Sequence, residues 1–378
     1  MKKNRSETPV SRRKFLGQLS AAAAVALSAA RSRAATAPLP KKKLGIALVG
    51  LGNYAENLLL PAIRQSDYWK LTGVVTGSRE KGDRWAKANG FPSKNIFSYD
   101  TMDRIAGNPD IDVVYVVTPN AMHAENTIAA ARAGKHVICE KPMAVSVAEC
   151  DAMIKACRDA KVRLMIGYRL HYEPHHAEFA RLSHDDALGP FMKINSENSF
   201  DMADPGDAAP NWRVNRKLAG GGPLMDMGVY VVQAVCMARQ EAPPAAVTAK
   251  FGKVTRPRLF SEVEQSIEWT MEYADGAKAT CYASYCDQKS MIRAEGPKGW
   301  AEIPYPAFYY DKPTLITSRG EPALASPDHQ VAQMNGMAAE LLENRASIAP
   351  GEMGRRDVAI VEAIYAAARS GKRTEVRV

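Results

Sequence analysis

No Cys-x-x-Cys pair occurs among the six cysteines, Cys139, Cys150, Cys157, Cys236, Cys281 and Cys286. Metal-ligand spacing is missing as well: His175 and His176 are neighbours, and on a helix they would point about 100° apart. No metal site is expected. A chain of 378 residues can bury a core large enough to need no disulfide framework, so the cysteines read as buried free thiols. No apolar run approaches the roughly 20 residues of a membrane span, which excludes stable membrane insertion. Internal repeats and low-complexity segments are absent beyond the first residues. The net charge of +9 is not evidence for a nucleic-acid partner, because it is not spread along the chain. Residues 1–37 hold eight Lys/Arg against Glu7 and so carry seven of the nine charges, leaving +2 for the rest.

What is present begins with that basic segment. Ser11-Arg12-Arg13-Lys14-Phe15-Leu16 precedes a mild apolar run over residues 21–30, and small residues follow at Ala35-Thr36-Ala37. This order is that of a twin-arginine signal over residues 1–37, cut at or near Ala37. The expectation is a periplasmic protein, exported folded. Residues 38–43 make a short linker.

Residues 44–167 alternate strand and helix patterns. Leu44-Gly45-Ile46-Ala47-Leu48-Val49 reads as a buried strand that runs into Gly50-Leu51-Gly52-Asn53-Tyr54-Ala55 and then a helix over 56–65. The form is G-x-G-x-x-A. Its first Gly permits the tight turn, its second lets backbone approach a pyrophosphate, and its small third residue packs helix on strand. Further strands are expected at 70–76, 95–99, 111–117, 135–139 and 163–167, with helices at 123–133 and 146–160, the latter opened by a Ser146/Glu149 capping box. The pattern predicts an α/β Rossmann domain, a doubly wound parallel sheet. After the second strand comes Thr76-Gly77-Ser78-Arg79-Glu80-Lys81. No leading acid waits there for a ribose 2′-hydroxyl, whereas hydroxyls and cations suit a 2′-phosphate, so NADP is favoured over NAD. The fifth strand ends in Glu140-Lys141-Pro142, which at the carboxyl edge of a parallel sheet points charge into the ligand cleft.

The period changes after Gly167. Alternating runs at 191–199, 246–254, 261–273, 277–286 and 291–295, with turn signals such as Ala274-Asp275-Gly276, predict an α+β domain with a large open antiparallel sheet over residues 168–350. Between the first two runs, Gly220-Gly221-Gly222 leads into a helix on which Asp226 and Tyr230 share a face. Residues 351–378 form a C-terminal amphipathic helix (353–370, ended by Gly371) and a tail.

The G-x-G-x-x-A turn, Glu140-Lys141-Pro142, Gly167-Tyr168-Arg169, Trp212-Arg213 and Gly220-Gly221-Gly222…Asp226…Tyr230 occur in this order. Together they resemble the Gfo/Idh/MocA oxidoreductase family, with the glucose–fructose oxidoreductase branch as the nearest pattern, over about residues 44–372. The resemblance implies a cleft between the two domains that holds nicotinamide and sugar. It implies Lys141, Asp226 and Tyr230 as the catalytic group. It places Gly50, Gly52, Asn53, Tyr54, Thr76, Ser78, Arg79, Lys81, Tyr99, Pro119, Asn120, His123, Glu140, Lys141, Arg169, Trp212, Arg213 and Tyr309 along cofactor or sugar. His171, His175 and His176 are expected to be structural or solvated.

These residue types suit the chemistry. Oxidising a sugar hydroxyl requires a base for its proton. A free phenol, with a pKa of about 10, is a poor base unless a nearby cation such as Lys141 favours its phenolate. Export adds a constraint, since a free nicotinamide pool is not expected outside the cytoplasm. The chain is therefore expected to carry its NADP and regenerate it in place: one aldose is oxidised to its lactone and a second sugar carbonyl is reduced. The alternatives are a dehydrogenase with exchangeable NADP and a non-catalytic NADP-binding sensor. The family's branch has a long arm before the first strand where this chain has only residues 38–43, so a dimer through the antiparallel sheets is the fallback to a tetramer.

Overall fold

The computed structural model describes residues 43–184, 187–204 and 211–378; the expected leader and most of the linker lie outside them. The first sheet is built from β1 (Leu44–Val49), β2 (Trp69–Val75), β3 (Ile96–Phe97), β4 (Val113–Val116), β5 (His136–Cys139) and β6 (Leu164–Ile166), in the order β3-β2-β1-β4-β5-β6. All neighbours run parallel. Such strands are covered on both faces, which is why β1 is an unbroken apolar run with Ile46 to Val49 at 0% exposure. The covering helices are α1 (Leu60–Gln65, continuing a wider π turn over Ala55–Leu59), α2 (Arg79–Asn89), α3 (His123–Arg132) and α4 (Val147–Asp159). The strand order reverses between β1 and β4, and a crevice for ligand opens at that point, beyond their carboxyl ends.

After α5 (Pro174–His184) the second sheet begins. It comprises β7 (Lys193–Ser199), β8 (Ala246–Phe251), β9 (Ser266–Glu272), β10 (Lys278–Ser284), β11 (Lys289–Gly296), β12 (Gly299–Ile303), β13 (Ile316–Thr317) and β14 (Thr374–Glu375), in the order β13-β12-β11-β7-β10-β9-β8-β14. The sheet is mixed rather than wholly antiparallel, because β7 lies between β11 and β10 and pairs parallel with β10. The long excursion after β7, through the short α6 (Arg216–Ala219) and α7 (Val229–Ala238), brings the chain back by a crossover, as parallel pairing requires. One face of the sheet packs on α7, whose ten residues are all buried. Ile194, Ile267, Trp269, Met271, Ala279, Cys281 and Ile292 meet it from the strands. The run expected over 261–273 forms a strand only from Ser266; Gln265, just before it, turns its side chain to accept from the backbone N–H groups of Thr255 and Arg256.

The last helices tie the halves together. α8 (His329–Leu342), inside the stretch assigned by sequence to the second domain, instead packs on the first sheet. Its Met334, Met337 and Ala338 form an i, i+3, i+4 stripe against Ile46, Leu48 and Trp69. The Trp69 indole donates to the Met334 carbonyl at 2.7 Å. α9 (Gly351–Ser370) sets Val358 in the first core and Ile360, Val361, Ile364 and Tyr365 in the second, and ends at Gly371, where φ is +66°. All six cysteines are free and five are buried. Among the described residues no helix is long and apolar enough to cross a membrane, and no group of three His, Cys, Asp or Glu could hold a metal ion.

Trp69→Phe removes the indole donor to the Met334 carbonyl and leaves a gap beneath α8. The expected cost is about 2 kcal/mol in urea unfolding; an unchanged unfolding midpoint would show that α8 does not depend on this contact.

Candidate active site

At the end of β1 the chain turns at Gly50, whose φ is +92°; a Cβ there would stand 2.8 Å from the Val117 carbonyl oxygen. Gly52 faces open space, with no atom within 4 Å of the Cβ position. A cradle is thus left bare above the N-terminus of the helical run that starts at Ala55, where free N–H groups favour an anion. Asn53 is exposed and accepts from Asn57 at 2.6 Å, and Tyr54 is half-buried beside the Tyr310 ring, 6.2 Å away.

The end of β2 completes the cradle. Thr76 accepts from the Ser78 N–H at 3.2 Å, and Ser78 caps α2 by accepting from the Lys81 N–H at 3.2 Å. The Lys81 ammonium reaches back to the Leu51 carbonyl in the glycine turn. Of the cations expected here, Arg79 pairs with Asp83 on the exposed face of α2, where Glu80 also pairs with Arg84. Tyr99 is half-buried, its ring 3.7 Å from the Cβ position of Gly77. A dinucleotide pyrophosphate fits the bare turn, and a 2′-phosphate fits the corner of hydroxyls and cations better than a bare ribose would.

Beyond β4 and β5 the chain makes the contacts that join the halves. Asn120, after Pro119, is buried and donates to the Ala219 carbonyl at 2.9 Å. His123, expected along cofactor or sugar, is instead buried with its ring nitrogens 2.8 Å from the Pro142 carbonyl and 2.9 Å from the Thr118 carbonyl, to one of which a neutral ring donates. Burial pushes its pKa down, and the ring braces the Glu140-Lys141-Pro142 loop. Glu140 accepts from the Tyr115 hydroxyl at 2.6 Å, which in turn accepts from Gln333 of α8 at 2.8 Å. Burial raises the Glu140 pKa, partly offset by Tyr115 and Lys141.

Lys141, Asp226 and Tyr230 come together, from opposite halves. The Lys141 ammonium donates to the Asp226 carbonyl at 2.9 Å and lies 3.3 Å from its carboxylate Oδ1. It also stands 4.3 Å from the centre of the Tyr230 ring. The second carboxylate oxygen, Oδ2, accepts from Arg213 at 2.9 Å and from the Tyr285 hydroxyl at 3.1 Å. Burial alone would raise the Asp226 pKa, but Arg213 and then Lys141 hold the carboxyl well below the usual range. Burial would likewise lower the Lys141 pKa, yet Tyr230, Asp226 and Glu140 more than compensate, so the ammonium is raised and stays charged. A second cation, Arg169, stands 4.9 Å from the Tyr230 ring and 4.7 Å from that of Tyr310. Its guanidinium is fixed from behind by the Phe308 carbonyl and by His329 Nδ1 at 2.7 Å. Burial and the adjacent Arg169 push His329 down to about 3, so it accepts as a neutral ring.

Arg213, with the Trp212 ring 4.7 Å from its Cζ, sits on the Asp226 carboxylate. The Tyr309 hydroxyl is spent on the Ser199 carbonyl, and Tyr310, one residue on, is the ring that meets Arg169 and Tyr54. The aromatic pair was visible in sequence, but its register in a loop was not. Tyr285, at the end of β10, gave no motif signal at all. His175 and His176 are buried with Nδ1 2.7 Å from the Glu173 carboxylate, away from the trio.

Comparisons with known proteins agree with this geometry. The family model for an oxidoreductase family with an NAD-binding Rossmann fold matches residues 44–168, and the GFO/IDH/MocA C-terminal domain matches 176–302. The chain belongs to the Gfo/Idh/MocA oxidoreductase family. The crystal structure of an aldose-aldose oxidoreductase from Caulobacter crescentus complexed with glycerol is 40% identical, with a TM-score of 0.84, over 89% of this chain and 100% of that one. D-xylose 1-dehydrogenase [NADP(+)] of Haloarcula marismortui is 27% identical over 86% of this chain and 91% of its own. A levoglucosan dehydrogenase in complex with NADH and levoglucosan shares the fold, at 22% identity and a TM-score of 0.76, over 89% and 100% of the two chains. As a Gfo/Idh/MocA oxidoreductase, this protein works with a nicotinamide cofactor, for which the glycine turn and the β2 corner are the fitting cradle.

The depressed Asp226 pKa has a sign. Its stabilisation is fully present above the unfolded carboxyl value of about 3.9 and is lost as pH falls below it toward the folded value. Asp226→Asn, which strands Lys141, is expected to cost about 3 kcal/mol at neutral pH. The gap in urea midpoint between parent and variant should narrow at pH 3, and a gap independent of pH would contradict the assignment.

Proposed function

We propose that this Gfo/Idh/MocA protein is an NADP-containing sugar oxidoreductase that oxidises C1 of an aldose to the lactone and reduces the carbonyl of a second sugar. The observation that carries the reading is the joint placement of Lys141, Asp226 and Tyr230 at the crevice beside the glycine turn. The hydroxyl and cation corner at Thr76, Ser78 and Lys81 supports NADP. The 40% identical aldose-aldose oxidoreductase supports an aldose in both half-reactions.

The residues divide the work as follows. Tyr230, between the cations of Lys141 and Arg169, takes the proton from the sugar C1 hydroxyl. Lys141 hydrogen-bonds the reacting oxygen and resists its own deprotonation because Asp226 holds it. Asp226, kept ionised by Arg213, fixes the ammonium and is placed to accept from a neighbouring sugar hydroxyl. The nicotinamide, when bound, supplies the ring that accepts and returns two electrons with a hydrogen. In the second half-reaction Tyr230 gives its proton to the oxygen of the incoming carbonyl, so one sugar loses two hydrogens and the other gains them.

The twin-arginine pattern of residues 1–37 supports a periplasmic site for this cycle. Retained cofactor and a homo-oligomer, a dimer or a tetramer, complete the proposal. A dehydrogenase with freely exchanging NADP is the competing enzyme.

Two measurements on the purified protein decide between them. Denatured protein should release close to one NADP per chain by mass spectrometry. The native protein, given an aldose with a second sugar and no added nucleotide, should turn over. Release of no nucleotide, with turnover only on adding NADP, would overturn the closed cycle and leave the dehydrogenase.

A further inference from the structure

Three glycines precede the catalytic helix, and each lies against a different neighbour. A Cβ on Gly220 would stand 2.6 Å from Val145, on Gly221 2.1 Å from the Tyr365 hydroxyl, and on Gly222 2.5 Å from the Glu264 carbonyl oxygen. Two of these neighbours are joined: Tyr365, on α9, donates to the Glu264 carboxylate at 2.7 Å. That carboxylate then accepts from the Gly222 N–H at 3.0 Å through Oε2 and from the Leu224 N–H at 3.1 Å through Oε1. These N–H groups stand at the opening of the π turn Leu224–Gly228, where a helix has donors without intrahelical partners. Asp226 lies two residues further on, and its own N–H bonds back to the Gly222 carbonyl at 3.3 Å.

We propose that Glu264, backed by Tyr365, is a positioning residue for the reaction: its carboxylate fixes the start of the turn and so the place of Asp226 against Lys141. Glu264 touches none of the three catalytic side chains. It acts through backbone, pinning Gly222 and Leu224 while Asn120 holds Ala219 just before the glycines. The loop is thereby gripped from the nucleotide half at one end and from the second sheet at the other. Both carboxylate oxygens are acceptors for main-chain donors, so a carboxylate is required. A glutamine offers one acceptor and sets its NH2 against the other N–H.

A cleft of about 470 Å³ opens beside this carboxylate, bounded by Gly220, Gly221, Glu264 and Tyr365 with Phe251 and Arg216. A small anion can therefore reach the place that Glu264→Ala vacates.

The proposal rests on the assignment of Asp226 to the reaction, and its test has one readout that does not. In Glu264→Ala, hydrogen–deuterium exchange over residues 220–228 is expected to rise at least tenfold while the rest of the chain is unchanged; unchanged exchange overturns the clamp whatever the activity. Sugar turnover in the same variant is expected to fall on the order of 10²-fold in kcat. KM and NADP content should stay near those of the parent, and added formate should restore part of the loss in a saturable way. A kcat within threefold of the parent, or a loss that formate does not relieve, also overturns it. Glu264→Gln keeps the side-chain volume and is expected to show the same exchange and kcat changes should the alanine variant fold poorly. A parent protein without sugar turnover would refute the enzyme reading, while the exchange result would still decide the clamp.

Discussion

One buried contact between charges organises this protein: the Lys141 ammonium on the Asp226 carbonyl and carboxylate. The lysine leaves the carboxyl end of a parallel strand, and the aspartate leaves the first turn of a helix that lies on the other sheet. Neither charge could be buried alone without a penalty of several kcal/mol. Each therefore requires the other half of the fold to be in place. The surroundings follow from the same constraint. Arg213 and Tyr285 satisfy the outer carboxylate oxygen, Glu140 sits next to Lys141 under the Tyr115 hydroxyl, and Glu264 holds the turn from which Asp226 projects.

The pair also sets what Tyr230 can do. Cations stand 4.3 Å and 4.9 Å from its ring, and neither is free to leave. Lys141 is anchored by Asp226, and Arg169 by carbonyls and the neutral His329. In the cycle proposed above, fixed rather than mobile charge means that no reorganisation accompanies each proton transfer.

Much of this was legible in the chain itself, for reasons that differ by residue. Gly50 announces itself because only glycine tolerates its backbone angle beside Val117, and the apolar strand before it and helix after it frame the turn. Lys141, Asp226 and Tyr230 lie in short local patterns whose spacing survives in one dimension. The parallel placement of β7 beside β10 did not show, because an alternating strand looks the same in either direction and only the excursion after it decides. The return of α8 to the first sheet was hidden for a similar reason: Met334, Met337 and Ala338 mark a buried face without saying which sheet buries it. Tyr285, Tyr310 and Glu264 act across 40 residues or more, where no local spacing exists to read. His123 was placed on the right loop, but its two carbonyl partners were not foreseeable, so a bracing side chain was expected along the ligand.

The dependence of catalysis on the contact between halves is tested most directly by a double-mutant cycle on kcat/KM with Lys141→Met, Asp226→Asn and the pair. If the two side chains act as one unit, either single change removes most of the activity. The double variant should then be little worse than the poorer single one, a coupling on the order of 2–3 kcal/mol. Losses that simply add would mean that lysine and aspartate serve separate tasks, and would contradict the central role assigned to their contact.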